Sequence, residues 1–298
     1  MQFTKVEELL DLCAKHNLPV WEVMIAQEIE LTERSRQEIL DDMSEKVEVM
    51  YASIEQGEAG VQSYSGISGG DALRMRTYID EGRGLAGDFL LEAVAAALAV
   101  NEVNASMGII CATPTAGSAG VVPGVLYSSS RKLNLAREDQ VNFLLTAGAF
   151  GLCIGNQAPI AGATGGCQAE VGSASAMAAA ALVAAAGGSP QMSAHALAMA
   201  LKNILGLVCD PVAGLVEVPC IKRNALGVAN AISAAEMALA GITSHIPADQ
   251  VIETMGRVGR IMPAAHRETA LGGLATTPAG LAIAEKLNAQ KADLIEER

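Results

Sequence analysis

The chain has 298 residues, of which 51% are hydrophobic but only 3% aromatic, and its formal net charge is −13. No basic stripe is present, which excludes nucleic-acid binding, and no apolar stretch reaches bilayer-spanning length without Gly or polar interruption, which excludes a membrane span. The core must then be built from Ala, Leu, Val, Ile and Met, and side chains that small favour helices packed at close range.

Residues 1–60 hold 14 Asp/Glu against 5 Lys/Arg, while residues 61–298 hold 19 against 15. This divides the chain into an acidic helical leader (1–60) and a helical domain (61–298), packed as one unit. The acidic surplus reads as a solvated helical face, with docking to a basic partner as the alternative. Apolar residues recurring at three and four predict helices over 6–16 and from Pro19 to about Gln56. Pro19 suits a first-turn position, and Trp21 reads as a core anchor. The N-terminus is acidic and amphipathic, unlike a secretory signal. Six cysteines fit a reducing compartment, so a cytoplasmic protein is expected.

Gly57–Gly70 is polar and Gly-rich, and is predicted as a long loop entering a helix at Asp71. Asp88–Asn101 is apolar on nearly all sides and reads as a buried central helix. In Thr113–Val125, the Pro and Gly residues rule out regular helix before about Val121, while Thr115 and Ser118 supply hydroxyls. Backbone N–H groups around Gly117, at a turn opening into a helix, make a site for a small carboxylate. A nucleotide loop is disfavoured, because T-A-G-S-A-G lacks a Walker lysine and no G-x-G-x-x-G follows a predicted strand. Further helices are predicted over 138–153, 171–187, Ser193–Leu205, Asn224–Ala240, from Ile246 to about Met262, and over 279–292, with Asn156–Gly166 as a loop. Nothing reads as a sheet. The fold class is all-α, a compact helical domain with Gly-rich loops converging on one site.

Three cysteines stand out. Cys167 follows Gly165 and Gly166, Cys209 precedes Pro211 and Gly214, and Cys220 follows Pro219. Such bends leave room around a thiolate and turn N–H groups toward a metal–sulfur cluster. Buried cysteines are also ordinary small hydrophobes, and the spacing C-x41-C-x10-C fits neither zinc patterns nor compact ferredoxin runs. Spacing alone leaves the question open.

The residues around them carry a resemblance. G-C-Q-A-E-V-G-S-A at 166–174, L-V-C-D-P-V-A-G-L-V-E-V-P-C-I-K-R-N-A at 207–225 and T-P-T-A-G-S-A-G-V-V-P-G-V-L at 113–126 resemble the α subunit of the iron–sulfur-dependent L-serine dehydratases. S-G-I-S-G-G-D-A at 65–72 and H-R-E-T-A-L-G-G-L-A at 266–275 extend the likeness over about residues 66–275. The resemblance implies a [4Fe–4S] cluster on Cys167, Cys209 and Cys220, leaving Cys13, Cys111 and Cys153 to packing. It implies elimination of water from L-serine to give pyruvate and ammonia, with an open iron as Lewis acid on the hydroxyl. It also favours a ligand-contacting role for the loop before Asp71.

Thr115, Gly117 and Ser118, with Arg223 and Asn224, are candidates for holding the substrate carboxylate or supporting the ligands. Arg223 could instead pair with a surface acid. Glu170, three residues past Cys167, is a candidate for orienting the substrate ammonium or a ligand, or is simply a first-turn acid favouring the helix dipole. His266 is the candidate base for the α-proton. Family members also have a second half, often a separate β subunit, carrying an S-S-H-T type motif that is absent here, so a partner could supply that base. Some single-chain relatives end in a cysteine that reaches the cluster, whereas this chain ends D-L-I-E-E-R, leaving the resting fourth ligand undefined. A related lyase acting on L-cysteine or L-threonine and a metal-holding structural subunit are the competing readings. A pyridoxal-phosphate enzyme is disfavoured, because Lys132 and Lys202 lie outside any Gly-rich loop.

Overall fold

A computed structural model describes residues 1–296. Helices α1 (Val6–His16), α2 (Val20–Thr32) and α3 (Arg36–Glu58) form the leader. Asn17 and Glu33, both in left-handed conformation, end the first two. Ser35 starts α3 by accepting from the Glu38 N–H, while the Glu38 carboxylate accepts from the Ser35 N–H at 2.8 Å, a reciprocal cap. Pro19 lies just before α2 rather than in its first turn. Gly57, expected in the following loop, is inside α3, where a Cβ would meet the Ala99 backbone at 2.5 Å. The glycine is there for close helix packing, not for a turn.

Next come α4 (Asp71–Asp80), α5 (Asp88–Ala105), α6 (Val121–Leu133) and α7 (Arg137–Gln157). The single-turn α8 (Gly162–Gly165) leads into a π-helical turn, Gln168–Gly172, and then α9 (Ser173–Ala185). The chain finishes with α10 (Pro190–Asn203), α11 (Cys220–Leu239), α12 (Ala248–Ile261) and α13 (Pro278–Glu296). Among the described residues there is no strand, only two isolated bridges. The all-α expectation holds.

The alanine-rich α9 is buried along nearly its whole length, enclosed by α6, α7, α10 and α11. Alanine makes this possible, since it loses no rotamer freedom in a helix and lets neighbours approach closely. The second buried helix, α5, lies against α3, α4, α6 and α11, as its all-round apolarity implies. The leader shares this core: Phe3, Leu9, Val23 and Ile25 belong to the same apolar cluster as Phe150, Ala180 and Leu197. None of the leader's acidic side chains is buried. No helix among the described residues is long and apolar enough to cross a membrane.

Two boundaries matter for the site. The Ala-rich helix is entered through the π-helical turn, which begins immediately after Cys167. And α11 begins at Cys220 rather than at Asn224, so Cys220 opens a helix and Arg223 and Asn224 lie in its first turn.

Candidate functional site

The site is assembled where α9 and α11 begin. Cys209 lies in an extended segment beside residues 266–268: its N–H donates to the His266 carbonyl, and its carbonyl accepts from the Glu268 N–H, both at 2.9 Å. Beyond Pro211 the chain turns at Val212–Gly214 and returns, with the Val212 N–H donating to the Val218 carbonyl at 2.9 Å. This closed loop delivers Cys220 to the start of α11. One turn on, Arg223 reaches back, donating to the Val208 carbonyl at 2.8 Å and pairing with Asp210 at 2.8 Å. The other Asp210 oxygen accepts from the Leu274 N–H at 2.8 Å. Arg223 therefore pairs with a buried acid, not a surface one.

From the other side comes the π-helical turn, a geometry frequent at functional sites. It carries Cys167 at its entry and turns the Glu170 carboxyl toward the Thr113–Ser118 loop. Thr115 donates its hydroxyl to Glu170 Oε1 at 2.7 Å. A Cβ on Gly162 would stand 2.6 Å from Glu170 Oε2 and 3.0 Å from the Cys209 sulfur. Any side chain where α8 passes them would have to displace the carboxyl or the thiol.

Asn224 holds the loop in place. Its amide donates to the carbonyls of Gly117 at 2.8 Å and Cys220 at 3.0 Å, and its oxygen accepts from the Gly120 N–H at 3.0 Å. Buried and fully engaged, it positions the loop rather than facing a ligand. The Ser118 hydroxyl is also buried and turned inward, donating to the Thr113 carbonyl at 3.2 Å. Thr115 is the hydroxyl that points across to the thiol side.

Burial pushes the Cys167 thiol up to about 11, against the pull of the Arg223 charge, with Glu170 pushing the same way as burial. It pushes Cys220 up to about 12, and Cys209 higher still, each reinforced by the charge of neighbouring thiols. Glu170 is raised by burial and restrained by the Thr115 hydrogen bond. Thiols held this way need a cation to become thiolates. Among the described residues, no three His, Cys, Asp or Glu side chains stand close enough to hold a single metal ion. Three thiols from separate segments, with the Arg223 guanidinium beside Cys167 to offset their charge, are a donor set that can hold a metal group.

The structure brings together Cys167, Cys209, Cys220, Glu170, Thr115, Gly117, Arg223 and Asn224. His266 joins them through its backbone on Cys209, and its Nδ1 is buried without a hydrogen-bond partner. Asp210, Glu217, Glu268, Gly162 and Asn101 were not singled out by sequence. Asn101 donates to the Gly117 carbonyl at 3.3 Å. An amide beside Glu102 in a largely apolar buried helix was its available signal, since buried polar groups need partners.

A helical fold that gathers buried thiols, a carboxyl and a guanidinium in this way is that of an enzyme chain, and comparison with known proteins makes it a lyase. The sequence profile described as serine dehydratase alpha chain matches residues 15–275, and the chain belongs to that family. It is 56% identical over 285 residues to the probable L-serine dehydratase alpha chain of Bacillus subtilis, covering 96% of this chain and 95% of that one. It is 44% identical to the L-serine dehydratase alpha chain of Peptoniphilus asaccharolyticus, covering 92% and 94%. It is 39% identical to the L-serine dehydratase of Mycobacterium tuberculosis, covering 92% of this chain but 61% of that longer one.

Proposed function

We propose that the chain is the alpha half of an L-serine dehydratase, removing water from L-serine to give pyruvate and ammonia, with a [4Fe–4S] cluster held by Cys167, Cys209 and Cys220. The observation that carries this is the convergence of three buried thiols from three separate segments around the Glu170 carboxyl and the Arg223 guanidinium. When bound, the cluster supplies a Lewis-acidic iron for the substrate hydroxyl. All six cysteines are free, and the enzyme works in the reducing cytoplasm.

The chain's own residues do the rest. Arg223 offsets the charge of the thiolates and, fixed by Asp210 and Val208, keeps that charge in place. Thr115 holds Glu170 at the edge of the thiols, where an ionised carboxyl would orient the substrate ammonium. Loop amides around Gly117 hold the substrate carboxylate, and its binding acidifies the α-proton. A base takes that proton as hydroxide leaves, and the resulting aminoacrylate tautomerises to an imine that hydrolyses in water. His266, with one ring nitrogen unpartnered, is the candidate base within this chain. A histidine from a second, beta chain is the alternative, supported by the greater length of the single-chain relative.

The test is anaerobic iron–sulfur reconstitution, then iron and sulfide analysis and a pyruvate assay on L-serine, L-threonine and L-cysteine, with and without a beta chain. About four irons per chain and pyruvate from L-serine support the reading. A single tightly bound zinc, or no uptake, overturns it and leaves a structural subunit.

A further inference from the structure

Residues 59–70 and 103–130 contain no Asp, Glu, Lys or Arg. The fold brings these two stretches together at the C-terminal end of α5, where the Tyr64 N–H donates to the Ala105 carbonyl at 2.9 Å. Three large apolar side chains stand out into solvent there: Tyr64 is 86% exposed, Met107 79% and Ile109 78%. The adjacent Ile110 turns inward against the core. Met107 has φ +66°, a left-handed conformation in which Gly or Asn is the unstrained choice. A flexible apolar side chain is kept at a position that disfavours it, and it faces water. Charge depletion with aromatic and Met enrichment is the composition of an interface centre.

The same two stretches run into the site. Ser68 donates to the Glu217 carboxylate at 2.5 Å, three residues before Cys220, and 103–130 continues through Thr115 to its bond with Glu170. A body seated on this face would reach the edge of the thiol site.

We propose that the apolar face centred on Tyr64, Met107 and Ile109, with Arg74 beside it at Gly69, is the docking surface for the beta chain, an inference that rests on the two-chain reading above. The occupant follows from chain lengths. The Mycobacterium tuberculosis and Escherichia coli TdcG L-serine dehydratases each match 92% of this chain, yet only 61% of their own length is covered. Relatives covered almost end to end are called alpha chains. A body accounting for the remainder must approach the site, and the apolar centre formed by Tyr64, Met107 and Ile109 calls for an apolar patch on it. Leu85 is 98% exposed but lies before the other end of α5, about 27 Å away along an 18-residue helix, beside Glu81, Arg83 and Asp88.

The test uses this chain, reconstituted anaerobically, and its cognate beta chain, with the dissociation constant read by sedimentation velocity. The double variant Met107→Asp, Ile109→Asp should weaken the complex by about 100-fold, as expected for charges placed in an interface centre. Its iron content and melting temperature should stay unchanged. Met107→Asn relieves the backbone strain, so it should melt no lower while binding about tenfold more weakly. Leu85→Asp should bind as wild type. If the wild-type complex forms and both Met107 variants bind within threefold of it, the surface is wrong and the two-chain reading stands. If the wild-type chains form no complex, the two-chain reading fails and the surface with it.

Discussion

The Thr115 hydroxyl donates to Glu170 Oε1 at 2.7 Å, joining residues 55 apart in sequence and tying the Gly-rich loop to the π-helical turn that carries Cys167. Thr115→Val keeps the shape and removes the donor. A buried acceptor stripped of its partner loses about 1–3 kcal/mol, so kcat/KM on L-serine should fall about 10- to 100-fold. Thr115→Ser should restore most of it. Steady-state pyruvate assays on reconstituted enzyme read the difference, and equal activity in the Val variant would remove Thr115 from the site.

Gly162 is where α8 passes closest to the chemistry. An added Cβ would sit 2.6 Å from Glu170 Oε2 and 3.0 Å from the Cys209 sulfur, closer than a real Cβ tolerates. Gly162→Ala should therefore displace that thiol and that carboxyl while leaving the remote core intact. Iron and sulfide content should drop to less than about half of wild type, with the helical circular-dichroism spectrum preserved. Full iron loading in this variant would show that α8 yields freely and that the close approach has no role.

Much of this was legible in the sequence, and the reasons are local. Buried α5 and α9 declared themselves through apolarity without periodicity, and the Gly- and Pro-broken segments marked the loops that meet at the site. What stayed hidden depends on contacts between distant residues. The Asp210–Arg223 pair needs the closed loop between Cys209 and Cys220, which no periodicity encodes. The π-helical turn has no composition of its own. Gly57 looked like a loop residue because glycine serves both turns and close helix packing, and only the position of Ala99 decides between them.

Glu102 is a buried acid in α5 whose carboxylate accepts from the N–H groups of Asp71 at 2.7 Å and Ala72 at 3.1 Å, capping α4. Burial raises its pKa above the ordinary 4.5, and the two amide bonds only partly oppose this. A carboxyl raised in the folded state contributes stability that is fully present below the ordinary value and is lost as pH rises through the folded value. Glu102→Gln removes the titration. The wild-type advantage over Glu102→Gln in unfolding free energy should shrink as pH rises from 4.5 and level off once the carboxyl is ionised. Urea unfolding under argon at a series of pH values measures it. An advantage that grows with pH would mean that the capping bonds outweigh burial.

The six cysteines divide by surroundings, and substitution should separate ligands from packing in two independent readouts. Cys153 is buried in α7 among core residues, with its thiol raised by burial. Cys153→Ala leaves a small void and should lower stability by about 1–2 kcal/mol, while iron, sulfide and the brown chromophore stay at wild-type level. Cys209 stands in a loop beside Gly162 and Glu170, its thiol raised by burial and by the charges of Cys167 and Cys220. Without metal Cys209 is a neutral buried thiol, so Cys209→Ala should cost the metal-free chain no more than the small void it leaves, about 1–2 kcal/mol. The reconstituted variant should hold little iron and make no pyruvate. Cys167→Ala and Cys220→Ala should follow Cys209. Chelator treatment of wild type should reproduce the same loss of colour and activity. A brown, active Cys209→Ala, or a colourless Cys153→Ala of normal stability, would reassign the ligand set.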